Sequence, residues 1–191
     1  MAGVSSTRDF WDHPVMALSD VVAPRLRILL VAINPATGSA TVGLHFATKR
    51  NPFWRLLHEA GLTPRQLAPD EAGELVQYGL GLVSLVQRPT RAAAELSRAE
   101  LRAGAAALTQ TVARLRPRAI ALLGLTLFPF VFPDADEPGP GAKRVTLAGA
   151  RVFVLPNPSG RNRAYPGFAA KLVWYRALAE ASARSRQRLE S

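Results

Sequence analysis

The chain contains no cysteine. That one absence excludes disulfides, thiolate zinc sites, cysteine-ligated iron–sulfur clusters and a cysteine nucleophile together. Histidine is nearly as scarce. His13, His45 and His58 are the only three, and none is spaced from another as paired ligands are, so no metal site is expected. No apolar run approaches the roughly 18 residues of a membrane-spanning helix. Residues 1–13 are mostly polar and lack the apolar core of a signal peptide, so the expected location is cytoplasmic rather than secreted.

Acidic residues are also few. Asp and Glu number 14 against 24 Lys and Arg, which gives a net charge of +10 and a pI near 11.3. Such a balance favours polyanionic partners, nucleic acid first. A solvated arginine-rich surface is the plain alternative, and it fits the near absence of lysine, with Lys49, Lys143 and Lys171 the only ones.

The 191 residues, 48 % of them apolar, suffice for one domain with a full core. Residues 1–24 read as an N-terminal arm or first helix closed by Pro24. Residues 27–33 form a near-continuous apolar run, as in a strand buried on both faces. A loop over 34–50 leads to a helix that begins at Pro52 and stops at Gly61. Thr63-Pro64 and Pro69-Asp70 punctuate two more short helical pieces. Residues 80–86 form the second strand. Ser97 followed by Glu100 is a capping-box signature; the helix it opens runs to about Leu115 and stops before Pro117. Residues 119–123 form the third strand, ended by Gly124. Residues 128–132 are a short helix or packed loop, and 134–141 a surface loop. Residues 145–147 and 151–155 form a hairpin into the last strand. Residues 157–167 are a loop, 168–183 the closing helix, and 184–191 a basic tail that frays. Alternating strands and helices predict a three-layer α/β/α sandwich around a mostly parallel central sheet. One domain is expected over 1–191, with its core at about 25–180.

Two apolar strands end in the same dipeptide. Residues 29–33 run into Asn34-Pro35, and 152–156 run into Asn157-Pro158. The carboxyl ends of parallel strands gather at one rim, where ligands bind. The two Asn-Pro corners can therefore face each other across one pocket. Asparagine offers an uncharged donor and acceptor, and proline stiffens the turn that aims it.

The first motif is Ile33-Asn34-Pro35-Ala36-Thr37-Gly38, with Gly43-Leu44-His45-Phe46-Ala47 and Asn51-Pro52-Phe53-Trp54 after it. The second is Leu155-Pro156-Asn157-Pro158-Ser159-Gly160-Arg161-Asn162-Arg163. Either alone is a common strand-ending turn. Together, with Arg88-Pro89-Thr90, they resemble the mismatch-specific uracil-DNA glycosylase and thymine-DNA glycosylase branch of the uracil-DNA glycosylase superfamily, over roughly residues 25–180. The resemblance implies that Asn34 positions the attacking water and that Phe46 stacks on a flipped base. It implies that backbone amides near Ile33 and Phe46 read the uracil edge. It also places Ser159, Gly160, Arg161, Asn162 and Arg163 in the minor groove, filling the gap the flipped base leaves. A neutral amide is a poor base but orients water well, which suits an oxocarbenium-like transition state.

Several positions depart from that pattern. Ala36 stands where glycine is common, and its methyl would tighten the base pocket. Asn157 stands where the efficient uracil-DNA glycosylases carry histidine, so slow chemistry is expected. Arg161 replaces a leucine and would stack on bases or reach phosphates. Ala93, in Arg91-Ala92-Ala93-Ala94-Glu95, is the position to suspect if an assisting acid has been lost; an ordinary alanine-rich lead into a helix is the plainer reading. His45 adjoins Phe46 and is a candidate substrate contact, whereas His58 falls within a helical pattern.

The expected activity is therefore monofunctional excision of uracil from G·U mismatched duplex DNA, leaving an abasic site. Ethenocytosine and other modified pyrimidines are further candidates. No cofactor or metal, no membrane and a monomer are expected, with the protein held at the nucleoid through DNA. The rivals are a non-catalytic damaged-DNA or abasic-site binding module, an inactivated variant of the enzyme, and, more weakly, a nucleoside or nucleotide hydrolase.

Overall fold

The structure, a computed structural model, describes residues 18–48 and 50–190, with 185–190 as backbone only. Most of the expected N-terminal arm, with His13, lies outside the described residues, as does Lys49. The strands are β1 (Ile28–Ala32), β2 (Leu80–Ser84), β3 (Ala119–Leu123), β4 (Gly141–Leu147) and β5 (Ala150–Leu155). The α-helices are α1 (Thr37–Thr41), α2 (Phe53–Glu59), α3 (Arg98–Leu115), α4 (Phe128–Val131) and α5 (Ala169–Glu190). The sheet order is β2-β1-β3-β5-β4. All neighbours are parallel except β4, which pairs antiparallel with β5.

Every residue of β1 is buried. Side chains alternate across a strand, so β1 feeds two cores. Ile28, Leu30 and Ala32 pack with Phe53, Leu57, Leu75 and Tyr175 on the face covered by α2 and α5. Leu29, Val31 and Ile33 pack with Leu108, Val112 and Phe128 on the face covered by α3 and α4. Each such buried aliphatic side chain contributes about 1.5–3 kcal/mol. The three expected layers follow from this alternation.

Helix α3 begins as the sequence predicts. Ser97 Oγ accepts from the Glu100 amide at 3.1 Å, and the Ser97 amide donates to Glu100 Oε2 at 2.8 Å. Pro117 lacks the amide to continue the helix.

Several boundaries differ from expectation: β4 begins at Gly141 rather than at residue 145, and β2 ends at Ser84 rather than at residue 86. Residues 18–24 are not helical: Val21 exchanges 2.8 Å backbone hydrogen bonds with Leu82 and extends the β2 edge. A β-branched residue beside an unpaired edge gains more from that pairing than from helix. The loop after β1 contains α1, which the Gly- and Thr-rich composition concealed. Of the two short helical pieces, only Pro69–Tyr78 forms, as a 3₁₀ run. Residues 63–68 stay irregular, and Thr63 Oγ1 donates to the Arg65 carbonyl at 2.9 Å. Lastly, α5 does not stop at residue 183 but carries the basic tail to Glu190, since no glycine or proline interrupts it.

Candidate active site

The chain leaves β1 for β2 on one side, and β3 lies on the other. That divergence makes the carboxyl rim between β1 and β3 a topological switch point, where α/β folds open a crevice. Ile33 and Asn34 stand at the end of β1, Gly124 at the end of β3, and Asn157 two residues beyond β5. A methyl group built on Gly124 would sit 3.5 Å from Ile33 Cδ1 and 3.6 Å from Asn157 Nδ2. The backbone there has φ +137°, a conformation side-chain-bearing residues rarely adopt. Gly124 thus keeps the crevice floor bare where Ile33 and Asn157 meet.

Asn34 is held from the far side by the segment after β2. Its Nδ2 donates to the Arg88 carbonyl at 2.9 Å and to Thr90 Oγ1 at 2.7 Å. A carbonyl can only accept, so the nitrogen must be the end that faces Arg88. Both amide hydrogens are consumed, and Oδ1 remains as an acceptor. The backbones are laced as well. The Thr90 amide donates to the Pro35 carbonyl at 3.2 Å, and the Thr37 amide to the Thr90 carbonyl at 3.0 Å. Ala36, the residue facing Thr90 in this short parallel bridge, is exposed.

Arg88 is itself clamped. Its Nε and Nη2 reach Glu100 Oε1 and Oε2 at 2.6 and 3.1 Å, and Nη2 also reaches the Glu95 carbonyl at 3.1 Å. Glu100 accepts from Arg88 and from both the amide and the hydroxyl of Ser97, and these bonds hold its pKa down at about 2. The cap of α3 and the grip on Asn34 are one hydrogen-bonded chain.

Asn157 has the opposite polarity. Its Oδ1 accepts from the Ser159 amide at 2.9 Å, which leaves Nδ2 as the donor on the Gly124 side. Its carbonyl accepts from Asn162 Nδ2 at 3.1 Å, and Asn162 Oδ1 accepts from the Tyr165 amide at 3.3 Å. Ser159 Oγ accepts from the Arg161 amide at 3.2 Å. Gly160, Arg161 and Arg163 are exposed. Arg161 Nη1 donates to the Arg91 carbonyl at 3.2 Å, the one side-chain bond from this loop back to the segment that holds Asn34.

Phe46 is half-buried and stacks on Phe53, with centroids 3.9 Å apart and planes at 22°. Its φ of +52° is unusual for an aromatic residue. Ser39 steadies this loop: its Oγ accepts from the Ala47 amide at 3.3 Å and its carbonyl from the Leu44 amide at 3.1 Å. His45, a candidate substrate contact on sequence, turns inward instead. It is buried, and Nε2 meets the Ser19 carbonyl at 2.9 Å. The stretch 18–24 lies across it, a packing that no local pattern announces. His58, in α2, has Nδ1 3.4 Å from the Thr63 carbonyl in the turn that follows the helix. Ala93 is exposed and opens the 3₁₀ turn Ala93–Glu95; the hydrogen-bond partners of Asn34 are Arg88 and Thr90, ahead of that turn.

Sequence reasoning missed Thr90 as a partner of Asn34, Gly124 as the crevice floor, and Lys171. Lys171 is 1 % exposed, and its Nζ donates to the Tyr165 and Gly167 carbonyls at 2.8 and 2.9 Å. Burial lowers its pKa. It closes the far end of the second loop. A lysine on the apolar side of a helix, beside Leu172 and Tyr175, was the available signal.

Among the described residues no group of three His, Asp or Glu side chains could hold a metal ion, and no helix is long and apolar enough to cross a membrane. Compared with known families, residues 19–179 match the model of the uracil DNA glycosylase superfamily.

Proposed function

Because the chain belongs to the uracil DNA glycosylase superfamily, whose members are DNA glycosylases, we propose that it is a monofunctional glycosylase of the mismatch-specific branch. In this reading it excises uracil opposite guanine from duplex DNA, with ethenocytosine and other modified pyrimidines as further substrates. The observation that carries the reading is the opposed polarity of the two asparagines. Asn34 presents an acceptor after both its hydrogens are spent, and Asn157 presents a donor after its oxygen is engaged.

The reaction needs both. Water attacks the anomeric carbon as the base departs with the bonding electrons. Asn34 Oδ1 accepts a hydrogen bond from that water and fixes its approach. The carboxamide does not take the water's proton, which passes to solvent while the released uracil anion takes one up; Asn34 contributes by positioning. Asn157 Nδ2 donates to an oxygen of the departing uracil anion. A neutral donor stabilises that charge less than an imidazolium would, so turnover is slow. Phe46, backed by Phe53, offers a rigid face for the flipped base, with Ile33 and Ala36 at its edge. Ser159 to Arg163 enter the duplex: Arg161 occupies the vacated space, and Arg163 contacts phosphate. Lyase chemistry needs a free amine. Of the lysines, the two among the described residues are engaged: Lys171 with two carbonyls, and Lys143 Nζ with those of Glu137, Pro138 and Gly139 at 2.7–3.2 Å.

The test is single-turnover excision on a labelled duplex with one U opposite G. U opposite A, single-stranded U and the Asn34→Ala variant run alongside. Release of uracil that depends on Asn34 supports the reading, and the companion substrates rank its specificity. Tight binding with no release would assign the chain to a non-catalytic binding module.

A further inference from the structure

The strands' amino ends, opposite the crevice, carry a second concentration of charge. Three backbone hydrogen bonds stitch it together. The Arg25 amide donates to the Leu115 carbonyl at 2.7 Å, the Arg118 amide to Leu26 at 2.9 Å, and the Arg151 amide to Arg118 at 3.2 Å. Arg25, Arg116 and Arg118 therefore stand on the lead-ins to β1 and β3 and Arg151 at the start of β5, on neighbouring strands about 5 Å apart. All four are exposed, as is Arg114 one turn earlier on α3.

None of these arginines takes part in an ion pair among the described residues. Several glutamates of the chain are paired with other arginines. Glu71 and Glu74 hold Arg65, Glu100 holds Arg88, Glu137 faces Arg144 and Glu180 faces Arg184. The sheet's lower rim is thus a patch of uncompensated guanidinium groups.

Two of the four also occupy costly backbone conformations. Arg25 has φ +57° and Arg116 φ +50°, the left-handed region that favours glycine. A helix end attracts positive charge, which accounts for Arg114 and Arg116. It does not account for Arg25 and Arg118, which sit on strand lead-ins, or for Arg151, which sits at the start of the β5 ladder beside Ala119.

We propose that this rim is a second DNA-binding surface, which holds the phosphate backbone of a separate duplex segment while the crevice engages the first. The inference rests on the reading that the chain acts on DNA. Duplex DNA carries one charge per about 1.7 Å of axis, and unpaired guanidinium groups on a fixed backbone recognise such a polyanion without reading its sequence. The two surfaces lie at opposite ends of the parallel strands, so one molecule can bridge two duplexes or pass from one segment to another.

The test uses the full chain and two differently labelled lesion-free duplexes, with bridging read by energy transfer between the labels and stoichiometry by sedimentation. Wild type is expected to give complexes of one protein with two duplexes. The variant carrying Arg25→Gln, Arg116→Gln, Arg118→Gln and Arg151→Gln is expected to lose bridging at least tenfold. Its uracil excision from a short duplex that fills only the crevice should be unchanged. The matching four Arg→Lys changes should restore bridging, which separates lost charge from lost folding. Bridging that survives the four Gln changes, or wild type that holds only one duplex, would overturn the proposal. Capture of single-stranded RNA in place of the second duplex would overturn its assignment to DNA. If wild type bridges duplexes yet releases no uracil, this surface stands and the glycosylase reading falls.

Discussion

The two strand-end loops share a dipeptide and differ in how they are held. The first is tied to another part of the chain. Asn34 reaches Arg88 and Thr90, more than fifty residues away, and the backbones of the two segments run hydrogen-bonded together. The second is tied mainly to itself. Its bonds join Asn157, Ser159, Asn162 and Tyr165 over two to five residues, and Lys171 fastens its exit. Long-range bonds fix an atom against the scaffold, whereas local ones fix only a loop's internal shape. Under the proposed function, the first arrangement suits an atom that aims a water, and the second suits a segment that fits between strands of DNA.

The contrast is broken most severely at Asn34. Asn34→Ala is expected to lower the single-turnover rate by about 100-fold while duplex affinity holds, since in the proposed mechanism the side chain aims the water and does not grip DNA. Thr90→Val keeps the shape and removes the hydroxyl acceptor. It is expected to cost about tenfold in rate, near 1.4 kcal/mol, with little change in melting temperature.

At the other loop the effects fall on order and binding. Lys171→Met leaves the Tyr165 and Gly167 carbonyls without their buried donor. Destabilisation of about 1–3 kcal/mol is expected, with faster proteolytic cutting between residues 157 and 167. Arg161→Ala should leave the rate at saturating enzyme nearly unchanged. It should weaken duplex binding severalfold and reduce the salt dependence of log affinity by about one unit per lost phosphate contact; titration over a salt series measures both.

The smallest effect is pH-dependent. Glu100 has its pKa held at about 2, below the ordinary 4.5, by Arg88 and Ser97. A depressed carboxylate stabilises the fold above its unfolded pKa, and that contribution is lost as pH falls from about 4.5 toward about 2. The melting-temperature gap between wild type and Glu100→Gln should therefore be widest near neutral pH and close across that window.

Much of this contrast was legible in the sequence, and the rest was hidden for one reason. The strands, the Ser97 capping box and both Asn-Pro corners are local patterns; all are present, with β4 four residues longer and β2 two shorter than the pattern predicts. The partners of those corners are not local. Nothing near Thr90 marks it as the acceptor for Asn34, because the pairing exists only once β1 and β2 lie side by side. His45 misleads for the same reason: its neighbour Phe46 suggests the crevice, but Ser19, far away in sequence, claims its ring. Lys171 reads as a helix cation and is a buried loop anchor. Residue type announced the chemistry of Asn34 and Asn157; only the fold revealed which end of each amide is free.

The most direct measurement is a double-mutant cycle in single-turnover uracil release, with Asn34→Ala, Thr90→Val and the combined variant on a G·U duplex. If Thr90 acts by holding Asn34, then Thr90→Val costs about tenfold in the wild-type background and nothing further once Asn34 is alanine. An equal tenfold loss in both backgrounds would contradict the account, because Thr90 would then act independently of the amide it is bonded to.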